Sequence, residues 1–565
     1  MILESQEDIW KTLLDFNLMN STMFKNTINI ILLLATTFLF VGCEKKINDW
    51  EIDESHARLF RPLKFETSNI GATDVEIAYT RVVSADKYIF EFSKDSTEFN
   101  EIIKTVEILA DTLTEFAPST SPTRVGYRTL FSDLDGTSPY SVRMKGVNEE
   151  TGDESDFVQL FFRTTEEQLF TTVDASVNGL IAYWEEGSEV THLEITDTTS
   201  NELIDKIEID NQAKQEGKLK IAGLQSGKVY LLEIFNNEVK RGSLYIRTAG
   251  IDGGEIIAVS PNDNLSDLIN AAAIGGHKDL VVVFSGGEVY SYEDVNIPEA
   301  IENISFSGEL DENRKQAEVT FKSVSMSNPL VGSVIFENLE VKASPGASFL
   351  ITQEKNGSEV ESYSFVNCTI SGFGNGVVRV NNSVTANKIS FNNCFVNKNG
   401  GWGVVNVGGS SAVVDSISFT NSTLVDLATQ LMDVRVAVKK IKIQKCTFYN
   451  KNASMTQLLR FDNNRLPLEL VASDNIIAGD NNGAKINSVS YDYENHGLSV
   501  SFAGSYRTNE LEIERESRGF PDITVFNGDS KELFIDPDNL NFRIKPDNGF
   551  GGRGSAGDPR WYIEP

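Results

Sequence analysis

Hydrophobic and polar positions alternate with period two from about Arg58 to Thr165, in short runs separated by polar turns. Such alternation predicts half-buried antiparallel strands. Val75-Glu76-Ile77-Ala78-Tyr79 and Tyr88-Ile89-Phe90-Glu91-Phe92 are two of them. The same grammar returns between about Phe170 and Thr248, with Leu180-Ile181-Ala182-Tyr183-Trp184 as its clearest strand. After Gly253-Gly254 the pattern changes. Leu265, Leu268, Ile269 and Ala272 fall at helical spacing, and Val281-Val282-Val283-Phe284 reads as a buried strand.

A repeat then dominates the chain. Phe336-Glu337-Asn338-Leu339-Glu340-Val341, Phe365-Val366-Asn367-Cys368-Thr369-Ile370, Phe391-Asn392-Asn393-Cys394-Phe395-Val396 and Phe419-Thr420-Asn421-Ser422-Thr423-Leu424 are copies of one motif. Ile443-Gln444-Lys445-Cys446-Thr447-Phe448 is a weaker fifth copy. Steps of 29, 26, 28 and 24 residues separate the five, one coil of a parallel solenoid each time. Stacking like over like at about 4.8 Å predicts an interior ladder of Phe336, Phe365, Phe391 and Phe419. Asn338, Asn367, Asn393 and Asn421 then fall at a bend where a left-handed backbone suits asparagine and neighbouring amides can bond. Cys368, Cys394 and Cys446 share one rung with Ser422. Their parallel side-chain directions argue against a disulfide and for small buried residues.

Several motifs carry family resemblances. Leu134-Asp135-Gly136-Thr137-Ser138-Pro139-Tyr140 and Leu224-Gln225-Ser226-Gly227-Lys228-Val229-Tyr230 resemble the tyrosine corner of a fibronectin type III domain, with Trp184 at the family's tryptophan position and Tyr79 replacing it in the first copy. The helix, strand, Gly286-Gly287 and Tyr290 resemble the amino-terminal cap of a pectate-lyase-like right-handed parallel β-helix. The expected fold is therefore all-β: two fibronectin type III-like sandwiches (58–167 and 168–250) followed by a right-handed parallel β-helix with an N-terminal cap helix (251–565).

The apolar run Ile28 to Val41 spans 14 residues and ends at Gly42-Cys43, too short for a spanning helix and suited to a leader. Leu39-Phe40-Val41-Gly42-Cys43 resembles a bacterial lipobox, which implies lipidation of Cys43, a leader over 1–42 with Met23 as its start, and a tether over 43–57. With the repeats, the sandwiches and the closing Phe534 to Trp561 segment, the chain resembles Bacteroidota lipoproteins encoded among polysaccharide-utilisation systems, often pectin-linked. That resemblance implies a surface protein anchored in the outer membrane, working on a polysaccharide beside other glycan-uptake proteins.

Composition narrows the partners. Fifty Lys and Arg against 82 Asp and Glu leave a formal charge of −32, a field that repels phosphate backbones and sets nucleic acid aside. Four histidines far apart and four cysteines without a CxxC make no zinc pattern. No metal site and no required cofactor is expected. The GxGxxG from Gly549 to Gly554 follows no βαβ unit and reads as coil.

A second strand of each coil holds the candidate chemistry. Val378-Arg379-Val380, Val405-Asn406-Val407, Met432-Asp433-Val434 and Leu459-Arg460-Phe461 recur every 27 residues. Alternation predicts that Arg379, Asn406, Asp433 and Arg460 stack outward in one row, with Asn381, Gly408, Arg435 and Asp462 in a parallel one. Trp402 and Phe373 lie in the loops entering these strands. Arginine forks match uronate carboxylates, and an aromatic ring stacks on a sugar. The first expectation is a glycan-binding face for an acidic or pectin-like polysaccharide. Two alternatives stay open: a polysaccharide lyase using Ca2+ and an arginine or lysine base, or a hydrolase using paired acids such as Asp433 and Asp462; and a structural or adhesive surface on which these charges only pair with one another.

Overall fold

A computed structural model describes residues 58–117, 125–462, 465–492 and 497–562. The leader, Cys43 and the tether lie outside the described residues. Among the described residues no helix is long and apolar enough to cross a membrane.

The fold is all-β. Its strands divide into two compact units, one holding most of the first sandwich and the other holding the second sandwich with the solenoid. In the first sandwich, Phe65–Ile70, Val75–Thr80, Gly126–Phe131 and Glu115–Ala117 make one four-stranded sheet. Lys104–Leu109, Lys87–Ser93, Pro139–Val147 and Val158–Arg163 make the other. Tyr79 stands where tryptophan was expected. It is fully buried, packs edge-on against Tyr88 and Phe90 at 5.5 and 5.2 Å, and pairs its hydroxyl with Thr129 at 2.9 Å. A tyrosine in an apolar core needs that partner to offset the cost of burying its hydroxyl.

The second sandwich packs Trp184 into its core. Its corner closes as the motif predicts, because the Tyr230 hydroxyl accepts the Gln225 N–H at 3.0 Å. The joint with the solenoid, inside the same unit, is built on buried Glu337. This carboxylate accepts from the hydroxyls of Ser305 and Ser307 at 3.0 and 2.9 Å, from the Gly250 N–H, and from Arg247 at 3.3 Å. Four donors are what a buried charge requires.

The solenoid begins with the cap helix Leu265–Ile274, whose N-cap Asn264 accepts from the N–H groups of Ser266 and Asp267. Leu265 and Ile269 cover the first coil. Three faces follow. The phenylalanine face is a nine-stranded parallel sheet from Glu255–Val259 to Glu469–Ser473. The middle face runs from Leu339–Ala343 through Thr369–Ser371, Phe395–Asn397, Thr423–Val425, Thr447–Tyr449 and Ile476–Ala478. The third face, called the arginine face here, comprises Phe349–Gln353, Gly376–Val380, Val405–Val407, Met432–Val434, Gln457–Phe461 and Asn487–Val489. In earlier coils the long strands Val289–Ile297 and Ala317–Met326 run across both of the latter faces.

The phenylalanine ladder is present and longer than the motif suggests. Phe306 stacks on Phe336 at 4.8 Å, and Phe336, Phe365, Phe391 and Phe419 follow at 5.2, 4.5 and 4.6 Å with nearly parallel rings. Asn338, Asn367, Asn393 and Asn421 hold φ values of 59°, 53°, 55° and 51°. Asn367 donates to Asn338 Oδ1 at 2.8 Å and Asn393 to Asn367 Oδ1 at 3.2 Å. The amide ladder breaks at the next rung: Arg560 donates to Asn393 Oδ1 at 3.0 Å, and Asn421 turns to Asn392. Cys368, Cys394 and Cys446 are free and buried, and burial pushes the Cys394 thiol up to about 12.

The C-terminal segment closes over the middle face. Leu533, Phe534, Phe542, Phe550 and Ala556 pack on the outward-facing Val425, Tyr449, Ile476 and Ala478. Trp561 donates its indole N–H to Thr423 at 2.8 Å. Asp558 is buried, accepts from Thr423 at 2.7 Å, and pairs with Arg560 at 2.7 Å. Burial outweighs the Arg560 charge and pushes the Asp558 carboxyl up to about 6.

Two consequences are measurable. Asn367→Ala should destabilise the solenoid by about 1–2 kcal/mol in chemical denaturation, since it forces alanine into a left-handed backbone and deletes an amide bond. Asn367→Gly should restore the backbone part of that loss. The raised Asp558 carboxyl means the folded state holds its proton more tightly than the unfolded chain, whose carboxyl titrates near 3.9. Its stabilising contribution is complete below that lower value and disappears as pH rises through about 6. Hydrogen exchange across 549–562 should show roughly 1 kcal/mol more protection from this group at pH 5 than at pH 7.5, and Asp558→Asn should abolish the difference.

Candidate functional site

The closing segment leaves the arginine face as the solenoid surface on which the predicted rows lie. Strand register puts Arg379 beside Asn406, Asn406 beside Asp433 and Asp433 beside Arg460. Thr352 extends the row one coil earlier. The apolar neighbours on either side of each, valine, methionine, leucine or phenylalanine, point into the core, which is why the polar residues between them point out.

Outward does not mean exposed, and here the expectation needs correction. Asn406 is fully buried and Asp433 is 2% exposed, whereas the side chains of Arg379 and Arg460 are 27% and 36% exposed. The long side chains of the face lie over the short ones. Arg460 reaches Asp433 Oδ1 at 2.5 Å and Arg435 reaches Oδ2 at 3.0 Å, so a buried carboxylate is held between two guanidinium groups. The Asp433 carboxylate raises the Arg435 guanidinium further above its ordinary value. Asp462 stands 4.0 Å from Arg460. Phe373 lies in the loop entering its strand, as expected, with its ring fully buried in the solenoid core.

Arg379 is held differently. Among the described residues the carboxylate within 4 Å of it is that of Glu354, 3.4 Å from Nε, and Nε itself makes no hydrogen bond. Its guanidinium carbon lies 5.5 Å from the Phe349 ring and 5.6 Å from the Trp402 ring. Arg435 meets Trp402 at 5.4 Å. Trp402 thus sits between arginines from the preceding and the following coil and remains 37% exposed. Such contacts fix an indole at modest energy, about 0.5–1 kcal/mol each at partly exposed positions.

Glu354 and Phe349 were missed by the sequence argument although the same step of 27 residues leads to them, from Asn381 and Gly376 respectively. Arg465 was missed too. It donates to the backbone carbonyls of Ser410 and Arg435 at 3.1 and 3.0 Å and belongs to no row, so no spacing announced it. The three row arginines face Glu354, Asp433 and Asp462, so the charges of the two rows balance on a chain of charge −32, with Arg465 beside them. Among the described residues no three His, Cys, Asp or Glu side chains gather as a metal site would require.

One larger cleft, about 640 Å3, lies at a corner of the solenoid and is lined by Glu299, Glu302, Glu359 and Glu361. Its buried amide is already satisfied, as Asn328 donates to Ile301 O and accepts from Leu330 N–H.

Residues 309–427, which include Arg379, Trp402 and Asn406, match a known family. It is described as Domain of unknown function (DUF4957). No curated protein matches the chain. Among solved structures, a two-domain fibronectin type III segment from chicken tenascin aligns with 15% identity and a TM-score of 0.22, covering 33% of this chain and 99% of that one. The chicken CNTN1 FN1–FN3 domains align with 14% identity and a TM-score of 0.14, covering 34% and 69%. The DUF4957 match ends before Asp433, so half of the arginine row lies beyond it.

Proposed function

We propose that the arginine face binds an acidic, pectin-like polysaccharide, and that the chain presents this face from the cell surface. The observation that carries the reading is Arg379. Its guanidinium lies beside a partly exposed tryptophan and pairs with one carboxylate, Glu354, 3.4 Å from a buried Nε that makes no hydrogen bond, so recognition falls to the terminal nitrogens of the fork. A uronate carboxylate supplies the acceptors that this fork lacks. Adjacent coils repeat at about 4.8 Å, so an extended polymer crossing the face meets Arg379, Arg435 and Arg460 in succession.

The pairing of Asp433 favours a second reading, in which Arg435 and Arg460 serve only as the scaffold of the face. The two readings divide the arginines. Arg379 recognises ligand; Arg435 and Arg460 first neutralise Asp433. For the lyase alternative, elimination needs a cation held by several carboxylates and a base over the sugar ring. Asp433 already has both oxygens engaged, which leaves little of such a ligand set on this face.

Affinity electrophoresis through polygalacturonate and through neutral galactan separates these readings. Arg379→Ala should weaken retardation by polygalacturonate about 10-fold or more, the worth of a charge-assisted fork, and leave galactan unchanged. Arg460→Ala should act mainly on the melting temperature. Equal, small effects of both on every glycan would make the face scaffold, and an ultraviolet-absorbing unsaturated product would make the protein a lyase.

The anchor is proposed on the lipobox-like Leu39 to Cys43. Growth with a clickable fatty acid should label the protein in the outer-membrane fraction, and Cys43→Ala should abolish the label and release the chain from that fraction.

A further inference from the structure

Gly408 marks a gap in the second row, with Asn381 on one side and Arg435 on the other. A methyl group built on Gly408 would meet Asn406 Oδ1 at 3.2 Å and Asn381 Oδ1 at 3.3 Å, both of them side-chain atoms. Two amide oxygens therefore converge on one small notch. Their orientation is dictated by charge. The Asn406 amide nitrogen faces the Asp433 carboxylate at 3.4 Å and the Asn381 amide nitrogen faces Glu354 at 3.3 Å, so each oxygen must turn the other way. Asn406 is fully buried, and its Oδ1 has no hydrogen-bond partner. A buried acceptor without a donor costs about 1–3 kcal/mol, and two acceptors aimed at one gap ask for a donor brought from outside.

Arg379 borders the same notch, two residues before Asn381 and one rung from Asn406. A buried donor and a buried acceptor without hydrogen-bond partners, Arg379 Nε and Asn406 Oδ1, thus lie on adjacent coils. The notch demands hydroxyl hydrogens and the guanidinium demands a carboxylate.

We propose that Gly408, Asn381 and Asn406 form a hydroxyl-accepting subsite that recognises a free ring hydroxyl of a uronate residue while Arg379 takes the carboxylate of the same polymer. This rests on the polysaccharide reading above and adds to it the ligand's chemistry: a polyuronate with unsubstituted hydroxyls, rather than any polyanion. Glycine at 408 is what keeps the notch open, since even alanine fills it.

The test combines one protein change with one ligand change. Wild type, Gly408→Ala and Arg379→Ala are compared for retardation by polygalacturonate and by its O-acetylated form, with melting temperature as the check on folding. Gly408 lies outside the left-handed backbone region, so Gly408→Ala adds no backbone strain, and its melting temperature reads the cost of the 3.2 and 3.3 Å contacts of the new methyl. Wild type should bind the acetylated polymer about 10-fold more weakly than the free one, a charge-independent loss of a hydrogen bond to a buried group. Gly408→Ala should bind both equally, at the weaker level. If Gly408→Ala matches wild type on both polymers while Arg379→Ala loses binding, the notch holds only water and the subsite is overturned, with the polysaccharide reading intact. If wild type binds neither polymer, the polysaccharide reading itself falls. Loss of wild-type binding in EDTA would assign the two oxygens to a cation and overturn the hydroxyl.

Discussion

Parallel in-register pairing of successive coils is the constraint on which the solenoid depends. Once each strand pairs with the strand one coil earlier, every position is stacked over its counterpart, and its side chain must suit the residue directly above and below. Phenylalanines meet this demand by offset stacking, asparagines at the bend by amide bonding in a left-handed backbone, and cysteines by being small. A charged position has fewer solutions. Like charges cannot be stacked rung upon rung, so an outward row must alternate or be interrupted by neutral groups.

The arginine face is the outcome of that rule. Asp433 lies between its own row neighbour Arg460 and the adjacent Arg435, and Asn406 separates this trio from Arg379. The arrangement neutralises the buried Asp433 carboxylate with two guanidinium groups and leaves Arg379 paired with Glu354 alone. Trp402 ties the two halves together through Arg379 and Arg435.

The closing segment covers one face of the solenoid. By laying Phe534, Phe542 and Phe550 on the middle face it seals the outward apolar positions Val425, Tyr449 and Ile476, which would otherwise expose a hydrophobic patch. Arg560 reaches into the asparagine ladder as part of the same closure. On the opposite side, Glu337 joins the solenoid to the second sandwich through donors from both. Both ends of the repeat are thus tied by buried carboxylates, Glu337 and Asp558, each surrounded by donors.

The repeat period, the phenylalanine and asparagine ladders, the two sandwiches and the outward rows were all legible in the linear sequence, because each depends on residues at a fixed step meeting their own kind. The same periodicity could have revealed Glu354 and Phe349 had it been carried one coil further. Exposure was not legible. Alternation tells which side of a sheet a residue faces, but whether Asn406 and Asp433 see water depends on how Trp402, Arg435 and Arg460 fold over them. Nor could spacing reveal that Arg379 would pair with Glu354, that Phe373 would turn inward, or that Arg560 would interrupt an amide ladder 167 residues away. Those outcomes rest on side-chain reach and on contacts between distant segments, which no period encodes. Sequence determined the stack; only the packed structure decided which of its polar groups would be left without a partner.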